Sequence, residues 1–118
     1  MKKEFRPLVY ICAPYKGDIK SNIKKARAFA AFAYKKGAIP VTTHLMFPFL
    51  DDEKDRSTIL FMDIILLGKC DEVWVLGKTI SEGMKRELEV SKRRRQKIRY
   101  FSDDFKEVSG FESNSNRV

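Results

Sequence analysis

Metal chemistry has little to work with in this sequence: one histidine, His44, and two cysteines, Cys12 and Cys70, far apart and each set in an apolar segment. There is no CxxC pair and no Cys/His cluster at ligand spacing, so neither a zinc site nor any other metal or cofactor is expected. The two cysteines read as reduced core thiols of a cytoplasmic protein. Long hydrophobic runs are missing too. None approaches the roughly 20 residues that span a bilayer, and the apolar run after residues 1–7 is too short for a secretory leader. Phosphate-binding glycine motifs are also absent. No G-x-G-x-x-G occurs. Gly77-Lys78-Thr79 has the ending of a P-loop, but the position five residues earlier holds Glu72 instead of glycine. No G-x-S-x-G elbow is present. With 6 glycines and 4 prolines in 118 residues, the chain shows neither a linker nor an internal repeat. It reads as one domain over residues 1–108, with a flexible tail over 109–118.

What is abundant is charge, and mostly positive charge. Hydrophobic residues make up 43% and charged residues 34%, the balance of a globular protein. The 24 basic residues exceed the 16 acidic ones and give a net charge of +8, which favours anionic partners such as nucleotides. Part of the excess lies in Lys92-Arg93-Arg94-Arg95-Gln96-Lys97-Ile98-Arg99. A solvated helix end accounts for that run, because cations complement the negative end of the helix dipole. Nucleic acid is the less favoured use of it.

Read in order, residues 8–12 form a first strand, followed by a loop punctuated by Pro14 and Gly17. Ile19, Ile23, Ala26, Ala30 and Ala33 recur at helical spacing. Asp18 or Ser21 can cap that helix, and Gly37 ends it as a C′ residue. Residues 39–43 read as a second strand leading into an apolar loop, Leu45-Met46-Phe47-Pro48-Phe49-Leu50. That loop is expected to cover a pocket or an interface. A helix over 57–69 is apolar on nearly every side, the pattern of a helix buried in the protein or in an oligomer, with Asp63 as the exception. Residues 73–76 form a third strand, a helix runs from Ser81 to about residue 95, and 98–101 form a last strand. Strands alternating with helices of this length predict an α/β fold. The expectation is a Rossmann-like or flavodoxin-like three-layer sandwich with a four- or five-stranded parallel sheet.

In such sheets ligands bind beyond the carboxyl ends of the strands. Four features converge there: Tyr10 with the loop Ala13-Pro14-Tyr15-Lys16-Gly17, Asp63, Ser81 before Gly83, and Glu87. Each also has a plainer reading. Tyr10 fits a core residue with a satisfied hydroxyl, Asp63 a buried structural carboxylate, Ser81 an N-cap, and Glu87 a surface residue. Cys12 and His44 both follow strand ends and could form a Cys–His pair, although nothing in the spacing fixes such geometry.

The order and spacing of Val9-Tyr10-Ile11-Cys12, Asp63 with Asp71 before an apolar strand, and Ser81-x-Gly83-Met84-x-x-Glu87-Leu88 resemble the nucleoside 2-deoxyribosyltransferase superfamily. That superfamily includes the deoxynucleoside monophosphate N-glycosidases. Pro14-Tyr15-x-Gly17-Asp18 and residues 67–75 look like a group of small bacterial and phage proteins within it. The resemblance implies that Glu87 attacks the anomeric carbon of a deoxyribose and holds it covalently. It implies that Asp63 helps protonate the departing base and that Tyr10 positions Glu87. It also implies that Ala13, Pro14, Tyr15, Lys16, Gly17, His44, Ser81 and Gly83 surround a nucleoside or nucleotide. The hydrolase branch has small Gly and Ser residues where Ala13, Pro14 and Tyr15 stand here. Proline offers no N–H to a phosphate, while Lys16 keeps a cation. Family transferases take polar residues from a neighbouring chain's C-terminus, a role that the pattern around Asn114 and Asn116 does not match.

Three readings follow. The first is an enzyme that cleaves or transfers at the N-glycosidic bond of deoxynucleosides or deoxynucleotides. The others are a non-catalytic nucleotide-binding or sensing protein of the same fold, and a basic nucleic-acid-associated protein. A homodimer or higher oligomer is expected, and no membrane association.

Overall fold

The computed structural model describes residues 4–109. The expected tail from residue 110 onward, with Asn114 and Asn116, lies outside the described residues. Strand β1 (Leu8–Cys12) leads to helix α1 (Ile19–Lys35), and β2 (Ile39–Val41) to a 3-10 turn over Thr43–Leu45. Helix α2 (Arg56–Gly68), β3 (Glu72–Leu76), α3 (Glu82–Arg93), β4 (Lys97–Phe101) and β5 (Glu107–Val108) follow. The sheet order is β2-β1-β3-β4-β5. Strands β1 to β4 pair in parallel, and β5 pairs antiparallel with β4.

Alternation along the strands sorts side chains into two layers. Val9, Ile11, Trp74, Leu76 and Phe101 face α1, where Phe29 packs edge-on to Phe101 with 5.3 Å between ring centroids. Tyr10, Cys12, Val73, Val75 and Tyr100 face the other way, against Leu67 of α2 and Met84 and Leu88 of α3. Burying each large apolar side chain in these layers contributes about 1.5–3 kcal/mol. With α1 on one face and α2 and α3 on the other, the architecture is a three-layer α/β sandwich. From β1 the chain moves outward to β2, then returns past β1 to β3. The crevice between the carboxyl ends of β1 and β3, where Cys12 pairs with Val75, is the switch point at which open α/β sheets bind ligands.

Local signals set the element ends. Asp18 caps α1, its Oδ1 accepting from Ser21 N at 3.2 Å. Gly37, at φ +95°, closes α1 with Gly37 N–H donating to Tyr34 O and Ala38 N–H to Ala33 O, both at 3.0 Å. Only glycine takes that φ without strain.

Two expectations need correction. Residues 98–101 are not the last strand: beside the expected parallel strands β1 to β4, Glu107–Val108 returns antiparallel along β4, an edge strand that a charged segment does not announce. It is held by Arg99, which donates to both Glu107 oxygens at 2.9 and 2.7 Å. The second strand ends at Val41, not at residue 43: β2 is an edge strand paired only with β1, and Thr43 turns into the 3-10 segment. Helix α2, expected to be buried in the protein or in an oligomer, leaves Phe61 and Ile65 65% and 45% exposed on the single chain. No helix among the described residues is long and apolar enough to cross a membrane.

Candidate active site

The β1–β3 crevice opens into a cavity of about 640 Å³. Its walls come from the loop after β1, the start of α1, the 3-10 turn, the apolar loop after it, α2 and the first two turns of α3. Phe47, Pro48 and Leu50 line it, whereas Phe49 between them is 77% exposed. The apolar loop therefore covers a pocket with part of its length and leaves one aromatic ring outside.

Glu87 projects from the second turn of α3 into the floor of this cavity and is only 8% exposed. Both carboxyl oxygens are engaged. The Tyr10 hydroxyl donates to Oε2 at 2.7 Å, and the Cys12 thiol lies 3.5 Å from Oε1. Tyr10 and Cys12 are alternate residues of β1, so they share one sheet face and reach the same carboxylate. Burial, helped by the Asp63 charge, raises the Glu87 pKa to about 7 against the opposing hydrogen bonds from Tyr10 and Cys12. Tyr10 itself is pushed well above its ordinary value by burial and then by Glu87. It remains a neutral donor.

Asp63 comes from the middle of α2 and lines the same cavity. Burial raises its pKa to about 6, with the Thr43 hydroxyl pulling the other way. Its Oδ1 is buried and has no hydrogen-bond partner among the described residues. An orphaned carboxyl oxygen in a pocket wall is open to a ligand group. Arg56, Ile59, Leu60 and Asp63 lie along one stripe of α2 and all line the cavity.

Ala13, Tyr15, Lys16, His44, Ser81 and Gly83 are on the cavity wall, while Pro14 and Gly17 are not. Pro14 and Ala13 act through their carbonyls. His44 Nε2 lies 2.8 Å from Ala13 O and 3.1 Å from Pro14 O. Carbonyl oxygens only accept, so Nε2 carries the proton and donates. Burial lowers the His44 pKa against the opposing hydrogen bonds to the Ala13 and Pro14 carbonyls, which favours the neutral ring. His44 thus braces the loop after β1, and the Cys12 thiol meets Glu87 rather than His44. Gly17, at φ +96°, turns that loop. Asn22 ties it down, donating to Tyr15 O at 3.0 Å and Lys16 O at 2.9 Å. The Tyr15 hydroxyl reaches across to Asp52 Oδ1 at 2.8 Å, closing one rim of the pocket. Ser81 is the N-cap of α3, its Oγ accepting from Met84 N at 3.3 Å. The basic run 92–95 lies at the other end of α3, off the cavity wall.

Thr43, Asp52 and Arg56 were not singled out in the sequence. Thr43 Oγ1 is 3.2 Å from the Tyr10 hydroxyl. Nothing in a Val-Thr-Thr-His string marks one threonine as part of a site. The charged segment 51–56 reads as solvated until the Tyr15–Asp52 bond shows that it folds over the pocket. Among the described residues no three His, Cys, Asp or Glu side chains are grouped as metal ligands.

Residues 7–101 match the family described as Domain of unknown function (DUF7768). No curated protein matches the sequence. Solved structures similar in fold include two deoxyribosyltransferases. A 2-deoxyribosyltransferase from the psychrotolerant bacterium Bacillus psychrosaccharolyticus superposes with a TM-score of 0.67 at 14% identity, covering 87% of this chain and 77% of that one. A 2-desoxiribosyltransferase from Leishmania mexicana gives 0.63 at 16% identity, covering 81% of this chain and 64% of that one. At these identities the likeness is one of fold, and the five-stranded α/β sandwich described above is the shared feature.

Proposed function

The chain belongs to the DUF7768 family, and we propose that it breaks the N-glycosidic bond of a 2′-deoxynucleoside or its 5′-monophosphate through a covalent glycosyl-enzyme on Glu87. The observation that carries this reading is the Glu87 carboxylate, held by the Tyr10 hydroxyl at 2.7 Å and facing a nucleotide-sized cavity with a second carboxyl, Asp63, on its wall.

The chemistry follows from the groups present. A Glu87 oxygen attacks the anomeric carbon as the bond to the base breaks, and the carboxylate stabilises the oxocarbenium character that develops. The departing base takes the proton of Asp63, whose pKa, raised to about 6, keeps a fraction of it protonated near neutral pH. A 2′-deoxy sugar lacks an electron-withdrawing hydroxyl, so the cation forms more readily. In the second half, water gives a proton to Asp63 and attacks the anomeric carbon, releasing Glu87. A second base attacking in place of water gives transfer. The Tyr15 ring and the apolar wall of Ile19, Ile23, Phe47 and Ile59 suit a base and sugar. Lys16 and the amino end of α3 at Gly83 suit a 5′ phosphate.

The test is incubation with a panel of deoxynucleosides and their 5′-monophosphates, with and without an acceptor base, followed by chromatography. Release or exchange of base that is lost in Glu87→Ala supports the reading. An inactive wild type across the panel, or a Glu87→Ala variant at full rate, overturns it.

A further inference from the structure

The carboxyl plane of a glutamate turns easily, because the last torsion of its side chain is broad and two-fold. One hydrogen bond pins one oxygen and lets the other swing about it. Two donors, one to each oxygen, fix the plane.

Glu87 has two such donors, and both come from β1. Residues 10 and 12 alternate along the strand and share one face of the sheet. The Tyr10 hydroxyl meets Oε2 at 2.7 Å and the Cys12 thiol meets Oε1 at 3.5 Å. Both donors are 0% exposed. Tyr10 has a second neighbour in Thr43 Oγ1 at 3.2 Å. The Cys12 thiol has Glu87 as its only hydrogen-bond partner among the described residues. Burial first, and then Glu87, push the thiol pKa well above its ordinary value, so the proton stays on sulfur and is there to donate.

Cys12 is absent from the cavity wall, whereas Glu87 is on it. The thiol therefore acts through Glu87 and touches no ligand. A thiol is a weak donor. It orients an oxygen while drawing off little of its charge, which suits a carboxylate whose other oxygen already takes a short bond from Tyr10.

We propose that Cys12 is a positioning residue, whose thiol holds Glu87 Oε1 and, with Tyr10 on Oε2, sets the plane of the carboxyl group at the cavity floor. The hold belongs to the free protein. Its use in turnover rests on the reaction proposed above, in which an oxygen of Glu87 must meet the anomeric carbon. Misplacing a reacting group by about 1 Å costs about 100-fold in rate.

The other groups around Glu87 leave Oε1 to the thiol. Asp63 of α2 acts on Glu87 through its charge. His44 of the 3-10 turn is tied to two carbonyls, and Asp52 accepts from Tyr15. Lys16, Arg56 and Glu82 also line the cavity, and none of them is bonded to Glu87 among the described residues.

The test pairs a carbon-13 titration of the Glu87 carboxyl in substrate-free protein, assigned with Glu87→Gln, with turnover of Cys12→Ala and Cys12→Ser. A hydrogen bond to the ionised form lowers a carboxyl pKa, so Cys12→Ala should raise that of Glu87 by about half a pH unit. Its kcat should fall about fivefold, with KM unchanged. Cys12→Ser keeps a donor and should return both the titration and kcat toward the wild type. An unmoved Glu87 titration in Cys12→Ala overturns the proposal. So does a moved titration with kcat unchanged, or a rise in KM alone, which marks a merely structural thiol. A Cys12→Ser variant that melts like the wild type yet titrates like the alanine variant overturns it as well. If the wild type releases no base from any substrate, the proposed reaction falls by itself, and the titration still decides whether the thiol holds Glu87.

Discussion

Replacing Glu87 by glutamine should make the protein more stable at pH 8 and leave it nearly unchanged at pH 4.5. In the folded chain the Glu87 pKa stands at about 7 against an ordinary 4.5. The folded state therefore holds the proton more tightly than the unfolded state. Stability is undiminished below about 4.5, falls as pH rises through the window from 4.5 to 7, and stays reduced above it. The gap corresponds to about 3 kcal/mol of lost stability at alkaline pH. Glutamine removes the charge and keeps the shape. Its amide oxygen can still accept from Tyr10, while the contact with the Cys12 thiol is weakened, offsetting the gain by about 1 kcal/mol. A net gain of about 2 kcal/mol raises the melting temperature of a domain this size by about 8 °C. Melting curves of both proteins from pH 4.5 to 8.5 measure it. A gain of the same size at both ends of the range, or no gain at pH 8, refutes the claim that burial of an ionised Glu87 destabilises the fold.

Tyr10→Phe removes a hydrogen bond to a charged acceptor, worth about 1.5–3 kcal/mol, so base release should slow about 10- to 150-fold. Because that bond lowers the Glu87 pKa, the acid limb of the rate profile should move to higher pH; an unmoved limb contradicts the assignment. Both thiols are pushed up, Cys12 by burial and Glu87 together, and Cys70 to about 11 by burial and Asp71. Iodoacetamide at pH 8 should therefore leave the native mass unchanged and add two groups after denaturation; rapid labelling of native Cys12 would show the buried thiol to be wrongly placed. The exposed Phe61 and Ile65 of α2 are expected to meet a second copy, so wild type should sediment as an oligomer at micromolar concentration and Phe61→Glu with Ile65→Glu as a monomer. A monomeric wild type removes that expectation.

The parts of this fold legible in the sequence are those where one local signal decides. Gly37 ends α1 because only a glycine fits its φ, and Ser81 begins α3 because its hydroxyl meets a free amide. The alternation of strands with helices of crossover length suffices for the α/β class. Strand β5 was hidden because an edge pair of two residues needs no apolar pattern; Arg99 and Glu107 hold it from either side of a turn at Phe105, φ +65°. Within the site, Asp63 stood out as a lone charge on an apolar helix. Tyr10 was harder to separate from its apolar neighbours. Which face of β1 it occupies depends on where α2 and α3 pack, and a five-residue apolar run does not reveal that. Thr43 was invisible for a different reason. Its place depends on β2 ending two residues early, so that the chain turns and brings its hydroxyl back to Tyr10. Pro14 and Gly17 drew attention as loop punctuation, and they shape the loop from outside the cavity.

If the Glu87 carboxylate attacks the sugar, Glu87 carries a deoxyribosyl group during turnover. Rapid acid quench of the wild type during turnover of its best deoxynucleoside or deoxynucleotide, followed by intact mass and peptide mapping, tests it most directly. One deoxyribosyl group is expected on the peptide that carries Glu87, lost in Glu87→Gln. An adduct mapped to another residue, or base release by Glu87→Gln at the wild-type rate, contradicts it.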